Sequence, residues 1–115
     1  MFGVVVATHG AVAVALRDAA EAMSGPIPRL ATLSVTPGAD PGELTKTLQA
    51  HLDALDDGDG VLVLTDVLGG TPCNLGLTSV GHRAEVVAGV NLPMLLHVAA
   101  LRDLVAQCRM DVPEG

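Results

Sequence analysis

Residues Val61 to Asn74 read VLVLTDVLGGTPCN, and the fold is decided by how this stretch is read. Val61-Leu62-Val63-Leu64 is an uninterrupted apolar run. Thr65-Asp66 then turns polar, Leu68-Gly69-Gly70 relaxes, and Thr71-Pro72 restarts. A short run of β-branched and leucine residues bounded by glycines is the pattern of a strand buried on both faces. A hydroxyl residue followed by proline marks a helix start, with Thr71 as N-cap and Pro72 at the first helical position. Asp66 therefore stands where a buried strand ends and a loop rich in free backbone donors begins. In open α/β sheets that edge is where ligands and chemistry gather.

Working outward, Phe2 to Ala7 is a second buried run, followed at once by Thr8-His9-Gly10. Ala11 to Met23 recurs at helical spacing, with Val12, Leu16, Ala19, Ala20 and Met23 on one side and Arg17, Asp18 and Glu21 on the other. Ser24-Gly25-Pro26 stops it. Arg29 to Val35 is a shorter, more polar strand suited to a sheet edge, and Thr36-Pro37-Gly38 is a loop. Asp40 and Pro41 open a helix through about Leu55, with Leu44, Leu48, Leu52 and Leu55 on one stripe. Glu43 completes a capping-box pattern with Asp40. After the central strand, Pro72 to Val80 reads as a short helix and Gly81-His82 as a turn. Ala84 to Ala88 reads as a fourth strand, and Leu92 or Pro93 to Cys108 as the last helix. Residues 109–115 read as a polar tail.

Strands alternating with helices predict a parallel sheet covered on both faces. The expected fold is α/β, doubly wound, mainly parallel, four-stranded in the order 2-1-3-4, with flavodoxin-like topology. That order sets the first and third strands side by side where the winding reverses, so the turns carrying His9 and Asp66 become neighbours.

Composition narrows the function classes. At 115 residues the chain reads as one domain, 1–115, and half of it is hydrophobic, enough for a core. Phe2 is the sole aromatic and the formal net charge is −7. Stacking platforms and phosphate-binding basic patches, the two devices of nucleic-acid binding, are therefore missing. Cys73 and Cys108 form no C-x-x-C pair, which speaks against zinc or redox chemistry and suits reduced thiols in the cytoplasm. No apolar run approaches a membrane span, and the N-terminus lacks the basic start of a signal peptide. No G-x-x-x-x-G-K-[ST] or G-x-G-x-x-G loop occurs, so neither a nucleotide cofactor nor a metal is expected.

Of the four histidines, His51 and His82 fall among polar neighbours and read as solvated, and His97 as packed or half-exposed in the last helix. His9 differs, because a buried strand precedes it and glycine follows. A carboxylate such as Asp66 can hold one ring nitrogen, fix the tautomer, and leave the other nitrogen as a nucleophile. Backbone amides at a loop and helix start, as after Gly69 and Gly70, favour an anion. An imidazole facing such amides is suited to receive a phosphoryl group.

Three segments carry a resemblance: Val6-Ala7-Thr8-His9-Gly10, Val63 to Asn74, and Ala88-Gly89-Val90-Asn91-Leu92-Pro93-Met94. In order and spacing they resemble the signatures of the mannose-family enzyme IIA domain of the bacterial phosphotransferase system, over residues 2 to 105. The resemblance implies that His9 is the phosphorylated residue and Asp66 the carboxylate that orients it. It assigns the phosphoryl oxygens to Gly69, Gly70 and Thr71, and the site wall to Thr8, Gly10, Asn91 and Pro93. It implies phospho-HPr as donor, a IIB component as acceptor, and a homodimer. The family's further C-terminal helix has no counterpart before Gly115, so a dimer is expected without C-terminal strand exchange. A role as a regulatory module whose phosphorylation state is read by a partner uses the same His9 chemistry. The phosphotransfer subunit of dihydroxyacetone kinase fits the middle motif less well. A flavodoxin-type flavin domain would need a phosphate loop after the first strand and stacking aromatics.

Overall fold

The computed structural model describes residues 1–67, 71 and 84–111. Four strands, β1 (Gly3–His9), β2 (Leu30–Val35), β3 (Val61–Thr65) and β4 (Ala84–Ala88), form one sheet in the order β2-β1-β3-β4. All three pairings are parallel, with Ala7 opposite Thr65 and His9 opposite Val35. The expected strand order is the observed one, and β1 and β3 sit at its centre.

Helices α1 (Val12–Ser24), α2 (Pro41–Leu55) and α3 (Leu92–Asp111) complete the described elements. Side chains alternate across each strand, so the two central strands feed two cores. On one face Val5, Ala7, Val61 and Val63 meet Leu48 and Leu52 of α2. On the other, Val4, Val6 and Leu64 meet Ala13 and Ala20 of α1 and Leu95 of α3. The near-continuous burial of β1 and β3 is what parallel strands covered on both faces require.

The N-cap and proline at the start of α2 are as expected, while the Glu43 carboxylate lies 3.8 Å from Lys46 and makes no capping box. Asp40 is extended, its carboxylate accepts from the Gly42 amide at 3.2 Å, and Pro41 occupies the first turn. Leu48 is fully buried beneath α2. Leu48→Ala should destabilise the fold by about 2–5 kcal/mol, seen as a lower urea midpoint with an unchanged slope.

Two expectations shift in detail. The buried stripe of α1 is Ala13 and Ala20 with Leu16 half-buried, while Val12 and Met23 are exposed. The small alanines, not the larger residues, face the sheet, and that allows close approach of helix to strand. The last helix runs to Asp111, beyond Cys108, so the first part of the expected polar tail is helical. Within α3, the charged side chain of Arg102 is buried. Its guanidinium donates to the carbonyls of Phe2 (3.1 Å), Arg29 (3.3 Å) and Pro28, and lies 5.9 Å from the centroid of the Phe2 ring. Arg102 thereby ties the last helix to the amino edge of the sheet, opposite the edge that carries His9. The expected helix at 72–80 and His82 lie outside the described residues.

Candidate functional site

His9 is the last residue of β1, and Asp66 follows the last residue of β3. Because these strands are adjacent and parallel, the two side chains meet at the carboxyl edge of the sheet. Nδ1 of His9 lies 3.0 Å from Oδ2 of Asp66 and 3.3 Å from Oδ1. The backbone amide of His9 also donates to Oδ2, at 3.1 Å, and the Val67 amide donates to Oδ1 at 2.9 Å. Asp66 is thus held by donors on both oxygens and has little rotamer freedom left. Its side chain is 17% exposed and that of His9 49% exposed, so the carboxylate is sheltered while the ring faces solvent.

The flanking backbone is fixed with equal care. Gly10 donates to the Val35 carbonyl at 2.9 Å and adopts φ of 55°, a left-handed turn that favours glycine. On the other side, Gly89 donates to the Asp66 carbonyl at 3.1 Å and Val90 to the Thr65 carbonyl at 2.8 Å. The loop after β4 therefore clamps the segment that carries Asp66.

Burial pushes the Asp66 carboxyl up, but the donors from the His9 amide, the His9 ring and the Val67 amide outweigh it and hold it below the ordinary carboxylate range. A carboxylate with a depressed folded value adds stability that is complete above the ordinary Asp value and is lost as pH falls through the folded one. Acid melting of the wild type should therefore include a component that Asp66→Asn lacks, read as a smaller drop in Tm between neutral and acid pH in the variant.

A cavity of about 570 Å³ opens beside His9. Gly10, Ala11 and Val12 form one side, Thr36 to Ala39 with Pro41 and Leu44 the other, and Thr71 contributes at the margin. The β2–α2 loop is thus part of the site, although in sequence Thr36-Pro37-Gly38 carries only a turn signal. The expected wall residues divide. Gly10 lines the cavity. Thr8 is fully buried, with its hydroxyl turned to α1. Asn91 caps α3, its Oδ1 accepting from the Met94 amide at 2.8 Å, and Pro93 is exposed in the first turn of that helix. Gly69 and Gly70 lie outside the described residues. His51 is half-buried and His97 exposed, both on helices. Among the described residues no group of His, Cys, Asp and Glu could hold a metal ion.

A doubly wound parallel sheet with a solvent-facing histidine braced by aspartate at the winding reversal defines the architectural class. A family model, EIIA-man, described as "PTS system fructose IIA component", matches residues 3–112. The mannose-specific EIIAB component of Escherichia coli K12 is 36% identical over 102 residues, covering 87% of this chain and 32% of that protein. The chain thus spans about a third of the length of that relative. The fructose-specific EIIA component of Bacillus subtilis is 31% identical over 108 residues, 92% of this chain and 74% of that one. The crystal structure of an EIIA component from Streptococcus agalactiae superposes with a TM-score of 0.81 at 27% identity, covering 90% of this chain and 80% of that chain. The chain belongs to the mannose- and fructose-type enzyme IIA family of the phosphotransferase system.

Proposed function

We propose that the protein is a phosphocarrier in which Nε2 of His9 takes a phosphoryl group from phospho-HPr and hands it to a IIB component. The observation that carries this reading is the 3.0 Å contact between His9 Nδ1 and Asp66 Oδ2 on a ring that stays half exposed. With Nδ1–H held by the carboxylate, the lone pair at Nε2 points away from Asp66 and is free to attack. As the new N–P bond forms, the bond from phosphorus to the donor's histidine breaks. Positive charge then builds on the His9 imidazole, and the adjacent carboxylate stabilises it. Delivery to the acceptor is the same step reversed, so the proton on Nδ1 stays in place throughout.

The Thr71 hydroxyl, at the cavity margin, is assigned to the phosphoryl oxygens. The same part for the Gly69 and Gly70 amides, and the wall role of Gly10, Asn91 and Pro93, follow from the family motif, whereas the buried Thr8 side chain turns away from the cavity. Residues 1–115 act as one phosphotransfer unit, in the cytoplasm and as a homodimer, in carbohydrate phosphotransfer. Among the described residues no helix is long and apolar enough to cross a membrane.

The test is direct. The protein is mixed with phosphoenolpyruvate, enzyme I and HPr, and its intact mass is measured before and after acid. One acid-labile phosphoryl group is expected. An unchanged mass, with HPr itself phosphorylated, would refute the reading.

A further inference from the structure

We infer that Thr8 is a positioning residue for His9, acting through its hydroxyl on the first turn of α1; this rests on the phosphocarrier reading above. Thr8 has no exposed surface. It precedes His9 in β1, so strand alternation sends its side chain to the face opposite His9. There Oγ1 accepts from the buried Ala13 amide at 2.7 Å. The N-cap position of α1 is occupied by Ala11, whose side chain makes no cap. The hydroxyl of Thr8 therefore takes the part that an N-cap residue normally plays, from outside the helix and across the Gly10 turn.

The consequence concerns geometry at the ring. Three consecutive residues are each tied to a different element. Thr8 is bonded to α1, His9 to Asp66 after β3, and Gly10 to Val35 at the end of β2. Gly10 has an intrinsically permissive backbone, and a Cβ placed there would meet nothing within 4 Å. No side chain packs at Gly10 itself, so the hydrogen bonds on either side of it set the path of the turn. Without the Thr8 anchor, the turn between β1 and α1 gains freedom at the residue that aims the imidazole. The ring then spends less time with Nδ1 on Asp66 and Nε2 toward the donor.

The hydroxyl is isolated by comparing Thr8→Ser with Thr8→Ala, which both lose the methyl and differ only in the oxygen. Thr8→Val, matched in shape, is a third variant. Single-turnover transfer from phospho-HPr is measured against donor concentration, well below each variant's Tm. The expected result is a fall in the maximal rate of about tenfold or more in Thr8→Ala relative to Thr8→Ser, with the half-saturating donor concentration within about twofold. Nitrogen-15 NMR of the unphosphorylated protein should show the His9 Nδ1–H tautomer kept in Thr8→Ser and diluted in Thr8→Ala. Equal rates and equal tautomer populations in the two folded variants would overturn the inference, as would an effect confined to half-saturation. If the wild type takes up no phosphoryl group, the phosphocarrier reading fails, and the tautomer comparison still decides whether Thr8 positions His9.

Discussion

Replacing His9 with alanine is expected to abolish phosphoryl uptake completely. Among the described residues the other histidines, His51 and His97, offer no second route. Both lie on helices, and neither belongs to the described lining of the cavity. The ring of His9 is also exposed enough that its loss leaves no buried void, so the variant should fold with a Tm close to wild type. Intact mass after incubation with enzyme I, HPr and phosphoenolpyruvate separates the outcomes. A phosphoryl group retained in His9→Ala would move the chemistry elsewhere on the chain.

The second large effect belongs to Asp66. Removing the carboxylate in Asp66→Ala frees the ring to adopt either tautomer and withdraws the negative charge that offsets the developing imidazolium. Groups that place a proton and balance charge in this way are worth roughly 10²- to 10⁴-fold in rate, and a loss in that range is expected for transfer into His9. The same substitution leaves the His9 and Val67 amides without their acceptor, which should cost about 1–3 kcal/mol of stability. Asp66→Asn separates the two effects. Its amide oxygen can still accept one backbone bond, yet it carries no charge, so it should recover part of the stability and little of the rate. Rapid-quench transfer kinetics beside urea unfolding of both variants would check this. Wild-type rates in Asp66→Ala would remove Asp66 from the mechanism.

The central layers of the fold are legible in the sequence because they depend on local pattern. Val61 to Leu64 and Gly3 to Ala7 are short, valine-rich and apolar on both sides, the pattern of a covered parallel strand, and glycine or proline punctuates each helix. From that alternation the strand order and the meeting of His9 with Asp66 follow as topology. Features set by long-range register were harder to read. The Thr36 to Ala39 loop enters the site only because β2 lies beside β1 and ends at His9. Arg102 resembles a solvated helical charge until α3 is seen to run over the carbonyls of Phe2, Pro28 and Arg29. Asn91 carries a cap signal, an Asx residue three before the amide it accepts from, in addition to the wall role that the motif implies. For α1 the hydrophobic periodicity points to Val12, Leu16, Ala19, Ala20 and Met23, whereas packing buries Ala13 and Ala20 and leaves Val12, Ala19 and Met23 exposed.

The most direct measurement is nitrogen-15 and phosphorus-31 NMR of the phosphorylated, histidine-labelled protein. The account predicts phosphorus coupled to Nε2 of His9, with a protonated Nδ1 still bonded to Asp66. Phosphorus on Nδ1, or on any other side chain, would contradict it.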